Sequence, residues 1–79
     1  MDNGINKKAV IIMEVLEEIN DTIIKITVDN FISVQRAMLK AKKENATETY
    51  EELHFQYISL KATLTTLGVN INEIDLIKE

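Results

Sequence analysis

The sequence predicts an all-α fold, a small three-helix bundle followed by a short C-terminal helix. Apolar residues recur at steps of three and four over most of the chain, and the 79 residues include no proline and two glycines. A chain of this size makes one domain with a core that is only just sufficient, and self-association often completes such a core. We therefore expect a single helical domain over residues 1–79, with a homodimer as an open alternative.

The first helix is predicted to follow a flexible tail. Residues 1–5 are polar and contain Gly4, which disfavours regular structure, and Asn6 is a plausible helix cap. An apolar stripe then begins, with acidic residues mostly off it. Its members are Ile12, Leu16, Ile19 and Ile23.

The region after this stripe leaves two arrangements open. Residues 22–28 are rich in β-branched side chains, which favours a strand, but the helical spacing continues through them and predicts helix. An unbroken helix over 7–43 would be a rod of about 55 Å. That would give a long helical hairpin, whose first half only a second chain would cover. Because Asn and Asp favour caps and turns, we expect a break at Asn20 and Asp21, which allows the bundle.

The third helix carries the predicted core. Asn45 and Glu48 have the spacing of a capping box, and Gly68 can adopt the left-handed conformation that ends a helix. Between them six large apolar side chains lie along one stripe. They are Tyr50, Leu53, Tyr57, Leu60, Leu64 and Leu67.

The end of the chain predicts one more short helix. Asn70 and Glu73 have capping-box spacing, and Val69 and Ile74 can form the hydrophobic staple that accompanies it. We expect this helix to dock on the bundle through its apolar residues.

Charge and hydropathy limit the partners. The net charge of −4 argues against a duplex DNA binder. The basic cluster of Arg36, Lys40 and Lys43 contains no aromatic side chain that could stack on bases. A nucleic-acid accessory role is therefore the weakest alternative. The longest uncharged apolar run, residues 9–13, is too short to span a membrane. We expect a cytoplasmic protein without a membrane partner.

Twelve isoleucines, eight lysines and seven asparagines indicate a low-G+C gene, bacterial or from a bacteriophage.

The sequence contains few residues that could catalyse a reaction or bind a metal ion. The chain has no cysteine and one histidine, His54, which follows Glu51 by three residues. A single pair of this spacing is too few ligands for a carboxylate-bridged metal site, and no glycine-rich loop is present to hold phosphates. We expect no enzyme activity, no cofactor and no metal site.

Two surface features are candidates for binding. A second apolar stripe opposite the core stripe of the third helix consists of Phe55, Ile58 and Ala62. It is either covered by another helix of the same chain or exposed to a partner protein. An acidic cluster at the start of this helix consists of Glu44, Glu48, Glu51 and Glu52. It either complements the helix dipole or forms an acidic face for a partner with a basic patch.

These features favour a small acidic protein-interaction module. We expect a regulator or inhibitor that binds a larger protein through a helix face, with steric blockade and no chemistry. The alternative is a structural, assembly or chaperone-like homodimer that uses the same apolar surface on itself. In size and charge the chain is similar to two broad categories, the small proteins by which bacterial viruses redirect host machinery and small helical secretion chaperones.

Overall fold

The fold is a long helical hairpin. A computed structural model describes residues 3–79, with side chains from Asn6 onward, and contains two helices, α1 (Asn3–Lys43) and α2 (Thr47–Thr66), which pack against each other. The described residues include no strand. The all-α prediction is therefore confirmed, and the three-helix bundle is wrong, since two long helices stand where three were expected.

Helix α1 has no break at Asn20 and Asp21. Both side chains are exposed on a continuous helix, so neither caps anything. The β-branched stretch also stays helical, and the hydroxyl of Thr22 donates to the Glu18 carbonyl in the manner typical of threonine inside a helix. The helix begins at Asn3, within the segment predicted to be a tail, while residues 1–2 lie outside the described part.

The turn between the helices uses Asn45 differently from the prediction. Asn45 has a φ of 58° and follows the end of α1, where its N–H donates to the Lys42 carbonyl while the Ala46 N–H donates to the Ala41 carbonyl at 2.8 Å. This is the Schellman pattern that ends a helix. The predicted capping box with Glu48 is wrong, because α2 starts after Ala46 without a side-chain cap.

Gly68 ends α2 as predicted. Its φ of 82° is left-handed, and the next residue, Val69, donates its N–H to the Leu64 carbonyl at 3.0 Å. No atom lies within 4 Å of the position that a Cβ would occupy. Backbone conformation, not space, therefore favours glycine here.

The predicted C-terminal helix does not form. Asn70 does accept a hydrogen bond from the Asn72 N–H at 3.1 Å, but only isolated turns follow. Instead of continuing as a helix, residues 69–79 fold back over both helices. Side chains of α1 and α2 bind this segment's backbone, which replaces the hydrogen bonds that a helix would have supplied.

The core lies between the second half of α1 and α2. Its centre consists of four fully buried side chains, Phe31, Met38, Tyr57 and Leu64, and the rings of Phe31 and Tyr57 stack with centroids 5.4 Å apart. Partly buried residues surround them from α1, α2 and the C-terminal segment. They are Val28, Val34, Tyr50, Leu53, Leu60, Val69, Ile71, Ile74 and Ile77. We call residues 28–79 the head.

Gln35 joins the C-terminal segment to α1. Its side chain is fully buried, and its Nε2 donates to the carbonyl of Ile74 at 2.8 Å. Its Oε1 accepts from the backbone N–H groups of Leu76 and Ile77, the latter at 3.0 Å. One amide thus supplies hydrogen-bond partners to three backbone groups of the C-terminal segment, at partly buried positions.

The arrangement leaves the first half of α1 projecting from the head. The 41 residues of α1 are about twice the 20 of α2, and at about 1.5 Å per residue α1 accounts for most of the 66 Å length of a molecule only 18 Å and 15 Å across. We call residues 6–27 the arm.

Candidate functional site

The arm presents an apolar stripe to solvent. Its members keep steps of four, three, four and three along one side of α1 and are 47–58% exposed. They are Ile12, Leu16, Ile19, Ile23 and Ile26. Within the described part of the chain, the α1 residues that pack on the core begin only at Val28. We call these five exposed side chains the arm stripe.

The opposite side of the arm is acidic. Glu14, Glu17, Glu18 and Asp21 are all exposed there, about half a turn away from the arm stripe. The arm is therefore amphipathic although nothing in the head covers its apolar side. No helix within residues 3–79 has the length and apolar content needed to cross a membrane.

The predicted face of Phe55, Ile58 and Ala62 is exposed. Phe55 is 77% accessible and Ile58 is 45% accessible, so no other helix within residues 3–79 covers them. Phe55 borders a shallow groove with Asn30 and Ser33 of α1. Because Asn30 follows Ile26 on the same side of α1, this groove continues the line of the arm stripe.

The acidic cluster at the start of α2 is also at the surface. Glu44, Glu48, Glu51 and Glu52 are all exposed. They take part in neither of the two ion pairs found among the described residues, which join His54 to Glu79 and Lys61 to Asp75. The cluster is placed where it can complement the N-terminus of α2 or meet a basic partner.

His54 takes part in the head. Its Nε2 lies 2.7 Å from Glu79 Oε2, and its ring stacks with Tyr50 and Tyr57 at centroid distances of 6.3 Å and 5.9 Å. Within residues 6–79 no three metal-ligating side chains converge. The position of His54 fits attachment of the chain end to α2.

The titratable groups that do converge hold the C-terminal segment. The hydroxyl of Tyr57 donates to Asp75 Oδ1 at 2.7 Å and accepts from the Glu79 N–H at 3.1 Å. The same oxygen of Asp75 accepts from the Lys78 N–H at 2.8 Å, and its other oxygen lies 3.2 Å from Lys61 Nζ. No buried side-chain polar atom of this cluster lacks a hydrogen-bond partner, so we assign the cluster a structural role.

This cluster shifts the pKa values of its members in opposite directions. Burial and the hydrogen bond to Asp75 raise the pKa of Tyr57 above 10.0. Burial alone would raise the pKa of Asp75, but hydrogen bonds from Lys78, Tyr57 and Lys61 outweigh it and hold this pKa below 3.8. The hydrogen bond to Asp75 also raises the pKa of Lys61.

A pH window for the head follows from these shifts. Because the pKa of Asp75 is lower in the folded state, its contribution to stability is complete above about pH 4 and is lost as the pH falls further. The pKa of Tyr57 is raised, so its contribution is complete below about pH 10 and is lost above that. We expect the NMR signal of the Lys78 amide to move toward its unfolded position outside this window. In Asp75→Asn the acid limb should flatten, and an unchanged acid limb would contradict the assignment.

The spacing of the arm stripe was visible in the sequence, and its exposure was one of the two outcomes that the sequence left open. The spacing of Ile12, Leu16, Ile19 and Ile23 predicts a buried face, and the expected break at Asn20 and Asp21 would have placed that face inside a bundle. The one available signal was length, because a helix over residues 47–66 reaches along only half of an unbroken α1.

In comparisons with known proteins, no family model, curated protein or solved structure matches this chain.

Proposed function

We propose that the protein is a helix-pairing interaction module. The head is a folded base, and the arm binds an apolar helix of another protein chain through the arm stripe. The observation that carries this proposal is the row of five large apolar side chains, each about half exposed, along an arm that the described part of the chain does not cover. Such a surface is unusual on a soluble monomer and marks an interaction site.

The energetics of the arm support a partner. Complete burial of an isoleucine or leucine side chain contributes about 1.5–3 kcal/mol, so covering the half that is exposed would contribute roughly 1 kcal/mol for each. Five such residues give on the order of 5 kcal/mol per helix, before the cost of association is subtracted. This gain is of the size that supports a reversible complex.

The composition of the arm also favours a partner. Isoleucine, valine and threonine make up about half of the residues between Val10 and Thr27, and these residues are weaker helix formers than alanine or leucine. Helices in water gain most of their stability from packing of an apolar face. Pairing with another helix would therefore stabilise the helical conformation of the arm and the complex together.

Binding of this kind would act by covering a surface of the partner protein and would require no catalytic step. A regulator or inhibitor would cover a helix that its target uses for another contact. The acidic side of the arm and the cluster of Glu44, Glu48, Glu51 and Glu52 would favour a basic rim around that helix. The groove beside Phe55 lies on the continuation of the arm stripe and would lengthen the same contact.

Photo-cross-linking in cells that naturally produce the protein would test this proposal. A benzophenone amino acid placed at Leu16 reports on the arm stripe, and the same amino acid at Glu17 reports on the acidic side of the same turn. We expect covalent adducts at Leu16 and few at Glu17. The mass of the adduct identifies either another protein or a second copy, which would add 9.0 kDa. Equal labelling at both positions, or none at Leu16, would overturn the proposal.

A further inference from the structure

We infer that the arm of a second copy of this chain, running antiparallel, covers the arm stripe. This inference rests on the proposed function and specifies its partner. It draws on the spacing of the stripe, the identity of its residues and the charges at its two ends.

The arm stripe has the seven-residue repeat of a coiled coil. Steps of four and three place Ile12, Ile19 and Ile26 at one of the two core positions and Leu16 and Ile23 at the other. A repeat of this kind packs against a helix that carries the same repeat. The arm is itself such a helix, and every copy of the protein exposes one.

One antiparallel register gives every residue of the arm stripe an apolar partner on the second copy. When Leu16 faces Ile19 of the second copy, Ile12 faces Ile23 of that copy, and Ala9 faces its Ile26. The two-fold axis repeats each pair. All five residues of the arm stripe then have an apolar partner.

The same register also matches the charges beside the stripe. Lys8 and Asp29 lie on the same flank of α1, three heptads apart, and the antiparallel arrangement brings Lys8 next to Asp29 of the second copy, once at each end. Both side chains are exposed, and neither takes part in an ion pair found within residues 6–79. A shift of one heptad in either direction separates them.

Parallel pairing lacks these features. It would place Lys8 beside Met13 of the second copy and Val15 beside its Asn20, so that no opposite charges meet. Leucine or isoleucine at one core position with isoleucine at the other also disfavours a parallel pair of helices. The charge match therefore selects the antiparallel direction.

The absence of cysteine from the sequence makes the direction testable. In the proposed register Ile12 and Ile23 of different copies face each other, whereas two Ile12 positions lie about 16 Å apart along the axis. We expect a short bis-maleimide to join Ile12→Cys protein to tagged Ile23→Cys protein in a mixture. Each variant alone should stay uncross-linked. Cross-linking of each variant alone would indicate parallel pairing and overturn the inference.

A charge exchange tests the register in the cysteine-free protein. We expect Lys8→Asp to raise the dimer dissociation constant roughly 5- to 20-fold, because it turns two attractive pairs into repulsive ones. Adding Asp29→Lys should restore the constant to within about threefold. Lys7→Asp is the matched control, since it makes the same charge change on the outer side of the arm and should have little effect. Equal effects of Lys7→Asp and Lys8→Asp would contradict the register.

Sedimentation of the unmodified protein separates this inference from the proposed function. We expect a reversible monomer–dimer equilibrium between about 10 μM and 1 mM. A monomer throughout this range that still cross-links through Leu16 to a different protein in cells would overturn the inference and leave the proposed function in place. A monomer that gives no adduct at Leu16 would overturn both.

Discussion

Replacing Gln35 with leucine is expected to detach the C-terminal segment and to lower the free energy of unfolding by about 2–4 kcal/mol. Gln35 bonds the carbonyl of Ile74 and the N–H groups of Leu76 and Ile77. Leucine has a similar volume but would leave all three without that partner, and each buried unsatisfied group costs about 1–3 kcal/mol. Water that reaches the detached segment recovers part of this cost. Denaturant unfolding and amide exchange at Leu76 and Ile77 would measure the two effects.

Gln56 provides the matched control for this substitution. It is exposed on α2 and has no hydrogen bond to the C-terminal segment, so Gln56→Leu should change the free energy of unfolding by less than about 0.5 kcal/mol. If Gln35→Leu left amide protection at Leu76 and Ile77 unchanged, the side chain of Gln35 would not hold the segment.

The local parts of the fold were predictable because their causes lie close together in sequence. Gly68 ends α2 through a backbone conformation that glycine adopts without strain. Tyr57 and Leu64 lie in the predicted core stripe and are fully buried. Asn45 fits two neighbouring roles, capping the next helix or ending the previous one, and sequence spacing alone does not separate them.

The parts that were not predicted depend on partners far away in the chain. Gln35 is a polar residue whose hydrogen-bond partners in the C-terminal segment follow it by 39 to 42 positions, and no local pattern indicates them. The signals for a last helix near Asn70 are real as local chemistry, since the Asn72 amide is bonded. The segment is nevertheless not helical, because Gln35 and Tyr57 form hydrogen bonds with its backbone in another conformation.

The candidate site shows the same division. Helical spacing places Phe55, Ile58 and Ala62 on one face of α2, and the sequence left open whether that face is covered. All three residues are exposed. The sequence places the arm stripe inside a bundle only because Asn20 and Asp21 favour a helix break. Because α1 is unbroken, the five residues of the arm stripe are exposed. The proposed binding surface therefore rests mainly on the arm stripe, and the face that includes Phe55 is its smaller part.

Division of the chain into head and arm predicts that stability and association respond to different substitutions. Ile19→Glu is expected to raise the dissociation constant of the arm complex at least 100-fold, because it places a carboxylate among apolar side chains at the centre of the stripe. The melting temperature of the head should stay nearly unchanged, since Ile19 is 50% exposed and lies outside the core. Sedimentation measures the first quantity and circular dichroism the second.

Ile11→Glu is the control for association, and Phe55→Glu is a second control for the stability of the head. Ile11 is 59% exposed and lies off the arm stripe, so the same substitution there should change the dissociation constant by less than about threefold. Phe55→Glu should leave the melting temperature unchanged because Phe55 is already mostly accessible. Equal losses of association in Ile11→Glu and Ile19→Glu would mean that the arm binds through general hydrophobicity, and unfolding of the head by Ile19→Glu would mean that the arm is part of its core.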